Sequence, residues 1–531
     1  MDPNQQSNQP EQNQQTPQQE KQQNEQEQNE QTLNTNNEKP PKRKQQPNPM
    51  SKNSQKKRKI DVKKQNEGVC LSYMRTGKCD REECKFSHDI KSYISRRTDF
   101  QEGECPLFSQ YGFCPSGVTC QWTKSHMTDE YQLIQNEDKM KQNPFKSAMN
   151  SVSGETLHLL RKNNYHFDIP ETFEQPKTNP QLDFSGKLIL PSLCTFGNLP
   201  FRKTVKRFGC DVTMNEMVMA DVLCEGKASE WALVKRDPSE DIFGVQLCVG
   251  NANLAAKAIQ LLNTIDCDFY ELNAACPIDL VYNKGMGAKL CERPRKIEQL
   301  MHAMRSMTER PVTLKVRTGK DSHTIDESLL PHCHEYGASL VNIHGRTREQ
   351  RYTKLADWDF IKKATTVCQT PIVGIGDIYS YRDYQKAMDC GVHAVGVARG
   401  ALMKPWIFTE IKEKRDWDIS SSERLDILKQ YAYDGLAHWG SDLQGVNKTR
   451  EFLCHHLTFM SRYVPVHCCV ETNQEISIKA RNDASMCYRD DMEKLLTSDN
   501  YEDYIKVTEM FLGPAPKEFV FVPKHKSYVK M

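Results

Sequence analysis

Two short segments near the amino end carry cysteine and histidine at spacings that suit a metal ion. Cys70, Cys79, Cys84 and His88 follow the pattern C-x8-C-x4-C-x3-H, and Cys105, Cys114, Cys120 and His126 follow C-x8-C-x5-C-x5-H. Zinc prefers four tetrahedral ligands, and three thiolates with one imidazole satisfy that preference. Segments this small lack a hydrophobic core, so metal binding would supply most of their folding free energy. The sequence therefore predicts two zinc sites.

Aromatic side chains accompany both quartets. Phe86 and Trp122 each follow the third cysteine of their quartet by two residues, and Tyr73 and Phe113 lie near by. The quartets resemble the CCCH zinc-finger family of RNA-binding modules, in which such rings stack on unpaired bases at about 1–3 kcal/mol per base. Packing around the metal is the alternative role for each ring, and the sequence leaves that choice open.

A second set of reactive residues lies where short β-branched runs end. Cys276 precedes a proline and lies near Asn273 and the glycine-containing loop 284–287, a context that favours an exposed, functional thiol over a buried structural one. Lys315 interrupts an apolar run, so its charge needs an anionic partner if it points into the centre of a barrel. Gly374-Ile375-Gly376-Asp377 and Ala398-Arg399-Gly400 suit a phosphate bound by backbone N–H groups.

These residues require an element pattern that brings strand ends together. Eight runs alternate with helix-like stretches: Leu188–Leu193, Asp211–Thr213, Phe243–Val249, Asp268–Asn273, Val312–Arg317, Leu340–His344, Pro371–Gly374 and Ala394–Ala398. Eight βα units in about 230 residues predict a TIM (β/α)8 barrel over 185–418, with its phosphate site after the last two strands. A doubly wound sheet is the alternative, but the glycine-rich first turn that it needs is absent.

The barrel is flanked by segments of different character. Of the first 40 residues 21 are Gln or Asn, which predicts a disordered tail over 1–66. Its basic clusters, 42–44 and 56–59, are a solvated linker, a nuclear-import signal or an RNA tether. The tandem fingers occupy 67–128, and 129–184 form a polar linker with one short helix near 155–162.

The carboxyl-terminal part is predicted to be helical. A capping box at Ser420–Glu423 begins a small RNA-binding helical domain over 419–515, followed by a tail over 516–531. Lys448, Arg450 and Arg462 in that domain are candidates to contact RNA phosphates, and a solvated helix face is the alternative for each of them.

Composition and charge exclude several classes of protein. A chain of 531 residues predicts two or three folded units, and 72 Lys and Arg against 70 Asp and Glu exclude a uniformly basic nucleic-acid coat. No run of 18 apolar residues is present, so we expect neither a membrane span nor the standard secretory route. Twenty cysteines then indicate reduced thiols, metal ligands or catalysis. We expect a nuclear and/or cytoplasmic protein, with a monomer favoured.

Several short segments are distinctive enough to indicate a family. They are Gly197-Asn198-Leu199-Pro200-Phe201-Arg202, Asn273-Ala274-Ala275-Cys276-Pro277 and His344-Gly345-Arg346-Thr347-Arg348. With these segments the chain resembles the flavin-dependent tRNA-dihydrouridine synthases. Ser229-Glu230-Trp231, residues 349–354 and residues 438–442, together with the fingers, resemble the eukaryotic branch that modifies uridine 47 in the variable loop of tRNA.

The resemblance implies cofactors, substrate and site residues. It implies bound FMN, NADPH or NADH as reductant, and tRNA as substrate, with mRNA a further possibility. Carried over by position, the flavin contacts fall on Ser192, Leu193, Cys194, Gln246, Lys315, His344, Ile375, Gly376, Asp377, Ala398 and Arg399, and the general acid falls on Cys276. Asn273, Arg317, Arg346 and Arg348 are candidates to hold a uridine turned out of its stack, or the phosphates beside it.

The implied chemistry is reduction of the uracil C5=C6 bond. Reduced FMN would supply a hydride to C6, and the thiol of Cys276 would supply a proton to C5. A thiol with a pKa of about 8.5 is protonated at neutral pH and can act as an acid. Lys315 would stabilise the negative edge of the reduced flavin.

The chain departs from the family pattern at a few positions. Ala275 and Ile375 replace a usual glycine and asparagine, and Ser192 and Cys194 replace a usual proline and threonine. If position 275 requires a positive φ, alanine would be strained there. These departures support a second hypothesis, a catalytically weak or inactive RNA-binding scaffold. A third, a flavin barrel acting on free pyrimidines, leaves the fingers without a role.

Overall fold

The computed structural model describes residues 68–176, 178–468 and 488–523. The predicted tail over 1–66 and residues 524–531 lie outside these ranges. The finger region contains α1 (Leu71–Thr76), α2 (Ile90–Ser95) and α3 (Pro106–Tyr111), followed by two 3-10 turns at Gly117–Thr119 and Thr123–His126. The helices α1 and α3 each begin directly after the first cysteine of a quartet, and each ends at a glycine in the left-handed region, Gly77 or Gly112. The two fingers therefore repeat one local design.

Residues 129–176 and 178–184 connect the second finger to the first strand of the barrel, and Asn136 and Asn143 still bond residues of the finger. They include α4 (Glu137–Gln142) and α5 (Gly154–Arg161), the second of which was predicted. Met149 forms an isolated bridge with Arg236, and the amide of Asn150 donates to the carbonyls of Val234 and Asp266 at 2.9 and 2.8 Å. This segment is thus fixed to the barrel by hydrogen bonds, although its predicted bounds as a linker stay a prediction.

The central region contains nine strands and the helices between them. The strands are β1 (Leu188–Leu190), β2 (Val212–Met214), β3 (Val218–Met219), β4 (Ile242–Cys248), β5 (Phe269–Ala274), β6 (Val312–Arg317), β7 (Val341–His344), β8 (Ile372–Ile375) and β9 (Ala394–Gly396). The helices are α6 (Leu199–Arg207), α7 (Ala220–Cys224), α8 (Ala228–Trp231), α9 (Ala252–Leu262), α10 (Asp279–Tyr282), α11 (Pro294–Arg305), α12 (Ile325–Ser328), α13 (Trp358–Val367), α14 (Tyr381–Met388), α15 (Arg399–Met403) and α16 (Ile407–Glu413). Further 3-10 turns lie at Ala232–Val234, Gly287–Glu292 and Leu330–His332.

Eight of the strands close into a parallel barrel. The sheet order is β2-β1-β9-β8-β7-β6-β5-β4-β3, and β2 also pairs with β4, which closes the ring and leaves β3 as a short addition. The predicted TIM barrel is confirmed. The first strand ends three residues earlier than predicted, because Pro191 has no N–H group to donate to a neighbouring strand.

The interior of the barrel is apolar near the amino ends of the strands and polar near their carboxyl ends. A cluster that includes Phe184, Val212 and Phe269 joins residues near the amino ends of the strands, and the rings of Phe184 and Phe269 meet edge-on at 5.3 Å. Nearer the carboxyl ends the buried residues become polar, and this polar layer begins the site.

The helical region contains α17 (Ser421–Trp439), α18 (Leu443–Met460), α19 (Asp491–Leu496) and α20 (Tyr501–Leu512), with a 3-10 turn at Val466–Cys468. The predicted capping box is present, since Ser420 and Glu423 bond reciprocally at the start of α17. The Tyr431 hydroxyl of α17 lies 3.3 Å from Asn198 Oδ1 at the start of α6, which ties this region to the barrel. Among the described helices, none combines the length and apolar character needed to span a bilayer.

Candidate active site and metal centres

The predicted cofactor and proton-donor residues lie at the carboxyl ends of the barrel strands. They are found after β1 (Ser192, Leu193, Cys194), in β4 (Gln246), after β5 (Cys276), in β6 (Lys315), at the end of β7 (His344), at and after β8 (Ile375, Gly376, Asp377) and after β9 (Ala398, Arg399). All strands of a parallel barrel end on one face, so residues far apart in sequence share one mouth.

Cys276 lies in a tightly fixed loop after β5. Its backbone N–H donates to Asn273 Oδ1 at 2.9 Å, and its carbonyl accepts from the N–H of Ala288 at 2.9 Å. A Cβ added at Gly287, whose φ is +58°, would lie 2.7 Å from the Cys276 carbonyl oxygen, so this close approach requires glycine. The loop therefore presents the thiol in one defined position.

The Cys276 side chain is buried, whereas the sequence favoured an exposed thiol. It is 8% exposed and groups with Cys248, Val281 and Met286, because the loop after β5 folds back over it. Burial raises the pKa of the thiol. The group is thus protonated at neutral pH, as a proton donor must be.

Ala275 is not strained. Thr195 and Asp377 are among the non-glycine residues that have a positive φ, and Ala275 is not. Its carbonyl accepts a 2.9 Å hydrogen bond from Nε of Arg317. The concern that alanine would distort the loop beside Cys276 is therefore removed. Ile375 has its side chain buried in the barrel interior, so only its backbone is available to a ligand.

Lys315 faces a buried carboxylate that sequence reasoning missed. Glu271 lies in β5 and is fully buried, and its negative charge opposes the lowering of the Lys315 pKa that burial causes. Burial in turn raises the pKa of Glu271, and Lys315 opposes that shift. The signal was available, because Glu271 precedes Asn273 by two residues and alternate residues of a strand share a face.

His344 is held neutral. Its pKa lies well below the usual range because the partly exposed ring is largely removed from solvent and because Arg317 and Arg346 lie near it. Nη1 of Arg346 lies 3.3 Å from His344 Nε2. A guanidinium can only donate, so Nε2 accepts and the ring proton lies on Nδ1.

The loop after β8 is organised around Asp377. Its carboxylate accepts from Nη2 of Arg346 at 2.6 and 2.7 Å and from Nη2 of Arg399 at 2.5 Å. Asp377 has a φ of 54°, and a Cβ added at Gly376 would lie 2.5 Å from the Cβ of Ala356. Glycine is therefore required at position 376 by the close approach of Ala356, and two arginines against one carboxylate leave excess positive charge beside it.

The arginines predicted to hold substrate bond to the chain itself. Arg317 donates to the carbonyls of Ala275 and Thr347 at 2.9 and 2.7 Å, and Arg346 donates to the carbonyl of Lys354 at 2.7 Å. The fourth candidate, Asn273, is buried and bonds Gln246. These contacts fix the loops around the mouth, and direct contact with RNA stays a prediction for each.

Arg348 links two loops at the rim of the mouth. Its guanidinium pairs with Asp279 and Glu349 and lies 3.9 Å from the ring centroid of Tyr282. The loops after β5 and β7 are thus joined across the mouth. The exposed ring of Tyr352 has its centroid 6.0, 5.4 and 4.6 Å from the guanidinium carbons of Arg317, Arg346 and Arg399. Tyr352 lies in the distinctive segment 349–354, but the sequence assigned it no role.

The mouth fits a flavin mononucleotide. The Ser192 hydroxyl and the Asn215 amide nitrogen are buried without a hydrogen-bond partner in the described parts of the chain, so both are free to meet a ligand. Lys315 offers a positive charge for the ring, and the Gly376 backbone with Arg399 suits the phosphate. Asn215 lies directly after β2 and is a further residue that sequence reasoning missed.

The two predicted metal quartets are assembled. The ligand atoms of each quartet all lie within 4.8 Å of one another, and the sulfur atoms of Cys70 and Cys79 and of Cys105 and Cys120 are 3.6 and 3.7 Å apart. Four ligands arranged tetrahedrally about zinc at about 2.3 Å place sulfur atoms about 3.8 Å apart. The geometry therefore fits zinc in both fingers.

The two fingers differ in exposure. In the second finger all four ligands are buried, and Nε2 of His126 has no hydrogen-bond partner among the residues that the structure describes, as expected for an atom aimed at a metal. In the first finger three of the four ligands are partly exposed. Phe86 of the first finger is 47% exposed with Arg81 over its ring, whereas Trp122 of the second is 4% exposed. Of these two rings, Phe86 is the one that a base could reach.

The second finger is joined to the turn between α17 and α18. The N–H of Ser441 donates to Ser116 Oγ at 2.8 Å, the N–H of Gln121 donates to the carbonyl of Ser441 at 2.8 Å, and Cys114 Sγ lies 3.2 Å from Ser441 Oγ. Arg75 of the first finger bonds Asp442 at 3.0 Å. The fingers and the helical region therefore form a continuous surface.

Comparison with known proteins identifies the family. Residues 193–463 match the dihydrouridine synthase family, and residues 65–90 match zinc fingers of the C-x8-C-x5-C-x3-H type. The chain is 43% identical to the tRNA-dihydrouridine(47) synthase [NAD(P)(+)]-like protein of Xenopus tropicalis, over 84% of this chain and 77% of that protein. It is 40% identical to the human protein of the same name, over 84% and 78%. The chain belongs to the dihydrouridine synthase family.

Family membership confirms the enzyme class, an NAD(P)H-dependent flavin oxidoreductase, that the motifs indicated. The similarity of this chain to solved structures is weaker. Morphinone reductase is 10% identical over 48% of this chain and 94% of the reductase chain, with a TM-score of 0.34. A similarity of that size supports no inference about function. The hypothesis of an inactive scaffold loses one of its supports, because Ala275 is unstrained.

Proposed function

We propose that the protein reduces a specific uridine of tRNA, at position 47 of the variable loop, to 5,6-dihydrouridine. The observation that carries the proposal is a buried, protonated thiol, Cys276, in the same barrel mouth as Lys315 and His344. Support for tRNA and for position 47 comes from the names of the relatives and from the zinc fingers that precede the barrel.

The cofactors are FMN and NADPH or NADH. When bound, reduced FMN supplies the hydride that C6 of uracil accepts. Lys315 provides a positive charge at the centre of the mouth, and the neutral His344 offers its Nδ1–H as a donor. Ser192 and Asn215 offer a buried hydroxyl and a buried amide N–H, and the Gly376 backbone with Arg399 would hold the phosphate.

Cys276 supplies the proton at C5. Its pKa is raised by burial, so the acid form persists at neutral pH without a partner. Asn273 fixes the backbone on which the thiol is carried, since its side-chain oxygen accepts from the N–H groups of Ala275 and Cys276 at 3.1 and 2.9 Å. The thiol is therefore oriented before the substrate arrives.

RNA is held by surfaces outside the mouth. In the first finger, the Phe86 ring can stack on an unpaired base of the RNA, and Arg81 beside it supplies a positive charge. The second finger contacts the turn between α17 and α18 through Ser441, so its surface adjoins that of the helical region. Of the basic residues predicted in the helical domain, Lys448 remains half-exposed, but Arg450 is fully buried and bonds Thr508 and Gly513, so it supports the fold and does not contact phosphate.

Location and assembly are part of the same proposal. We propose that the protein lies in the nucleus and/or the cytoplasm, and the basic clusters at 42–44 and 56–59, which lie outside the described residues, support the nuclear location. A monomer stays a prediction. Deleting residues 1–60 and imaging the protein in cells tests the import signal, because an unchanged distribution would remove it.

Position-resolved mapping of dihydrouridine tests the function. RNA from cells with and without the protein is compared, and we expect loss of dihydrouridine at position 47 of tRNA alone. Retention of that modification would refute the proposal, and loss at mRNA sites would extend the substrate class. The purified protein should absorb near about 450 nm as a flavoprotein does.

A further inference from the structure

A carboxylate that the proposed reaction does not use lies at the centre of the polar layer. Glu271 is fully buried in β5. Its Oε1 accepts from Nε2 of Gln246 at 2.6 Å, and its Oε2 accepts from the amide of Asn342 and from Thr313 Oγ1 at 3.4 Å. Since both oxygens accept, the geometry suits the ionised form. A buried charge in the interior of a barrel is costly, so its presence calls for a role beyond packing.

The hydrogen bonds of Glu271 continue toward Cys276. Gln246 donates to Glu271, and its own Oε1 accepts from Nδ2 of Asn273 at 2.6 Å. Asn273 Oδ1 then accepts from the backbone N–H groups of Ala275 and Cys276 at 3.1 and 2.9 Å. Glu271 is therefore connected to the loop that carries the thiol through two side-chain amides.

The direction of this chain of hydrogen bonds has only one solution. A carboxylate can only accept and a backbone N–H can only donate, whereas an amide side chain can turn over and exchange its two ends. With Glu271 at one end, Gln246 must present its nitrogen inward and its oxygen to Asn273. Asn273 must then present its oxygen to the loop. Loss of the acceptor at position 271 would free both amides to turn.

We propose that Glu271 is a positioning residue, which fixes the orientation of Gln246 and Asn273 and through them the loop that carries Cys276. The inference rests on the function proposed above, because it concerns the placement of the proposed proton donor. Glu271 does not touch the reacting atoms. It determines which end of each amide faces the loop.

A pair of substitutions tests the direction of the bonds. Glu271→Gln keeps the size of the side chain but replaces a group that can only accept by an amide that can also donate. Gln246 and Asn342 can then each bind it in either orientation, so the direction of the bonds is no longer fixed. In the double variant Glu271→Gln with Asn342→Asp, the carboxylate is moved from position 271 to its hydrogen-bond partner at position 342. The new carboxylate accepts from the amide at 271, whose oxygen is then free for Gln246. A change in the alkylation rate in the single variant and its recovery in the double variant occur at nearly constant side-chain volume. Because the double variant also restores the negative charge, the variant Asn273→Ala, which breaks the last link without changing any charge, must give the same change.

The measurement is the reactivity of Cys276 in the flavin-containing protein. Alkylation by iodoacetamide is followed by mass spectrometry of the peptide that contains Cys276, without tRNA. We expect Glu271→Gln to change the alkylation rate at least about fivefold and the double variant to restore it to within about twofold. Glu410→Gln removes another buried carboxylate, which lies in α16 and bonds Lys404 and the N–H of Trp417, none of them a member of this network, and should leave the rate unchanged. If Glu271→Gln fails to fold, Asn273→Ala cuts the last link and should give the same change.

The outcomes separate this inference from the proposed function. An unchanged alkylation rate in Glu271→Gln or a failure of the double variant to recover would overturn it. A change in NADPH-driven flavin reduction with unchanged alkylation would also overturn it, because Glu271 would then act on Lys315. Absence of dihydrouridine formation by the wild-type protein would refute the proposed function, while the alkylation series would still report on the network.

Discussion

Replacing Cys276 by alanine tests the proposed chemistry most directly. The bond between the backbone N–H of residue 276 and Asn273 Oδ1 does not involve the side chain, so the loop should keep its position. Loss of one buried sulfur atom costs about 1 kcal/mol of folding stability, by analogy with the removal of a single buried methylene. Loss of a positioned acid slows the chemical step by about 10²–10⁴-fold, or about 3–5 kcal/mol. The effect on rate should therefore exceed the effect on stability severalfold.

The assay is a single turnover of the reduced enzyme with tRNA in the absence of oxygen. Reoxidation of the flavin is followed by absorbance, and dihydrouridine is quantified by mass spectrometry. Cys248→Ala is the matched control, because Cys248 is 1% exposed and belongs to the same side-chain cluster. It should keep the wild-type rate to within about threefold. A Cys276→Ala rate within threefold of wild type, or an equal loss in Cys248→Ala, would refute the assignment of the proton donor.

Further predictions concern pH, the fingers and the helical domain. Because burial raises the Cys276 pKa, the acid form persists to higher pH, so the single-turnover rate should stay level through neutrality and fall only above pH of about 8.5; a fall centred near 7 would contradict this. Phe86→Ala should weaken tRNA binding by about 1–3 kcal/mol with an unchanged melting temperature, as measured by filter binding and calorimetry. Cys120→Ser should lower the melting temperature by about 5 °C or more, because its metal site is buried against the helical region. Cys84→Ser, in the more exposed first finger, should mainly weaken tRNA binding. Equal changes in melting temperature would argue against different roles for the two fingers. Arg450→Met should reduce the free energy of unfolding by about 2–3 kcal/mol in denaturant titration, since it strands buried acceptors, and a selective loss of tRNA affinity instead would restore the phosphate-contact hypothesis.

The local features of the site were predictable because they depend on short spacings. Metal ligands such as Cys70 and His88 lie within one small loop, and their spacing alone places them around one ion. The strand Phe269–Ala274 and the loop to Cys276 follow from a short run with two aromatic residues and from a proline. The motif resemblance and the barrel were then confirmed by the family match and the closed sheet.

Other features depend on which surfaces meet. The sequence favoured an exposed thiol at Cys276, but Val281 and Met286 pack over it. The spacing of apolar residues predicts strands and helices, but it does not predict that a loop folds back over the end of its own strand. Arg317 and Arg346 were candidates to hold substrate. Arg317 donates to carbonyl oxygens of two loops, and Arg346 donates to the carbonyl of Lys354 in its own loop as well as to Asp377. A backbone acceptor leaves no trace in a sequence.

The sequence by itself determined the reactive groups, the barrel that gathers them and the two metal quartets, since each follows from residue type and from periods of a few residues. Only the tertiary structure decided that Glu271 lies between Gln246 and Asn342, and that Cys114 meets Ser441. The residues of these contacts are between 25 and 327 positions apart. Contacts at such separations arise when closed strands and docked helices bring particular faces together, and one chain read in order carries no direct signal of that pairing.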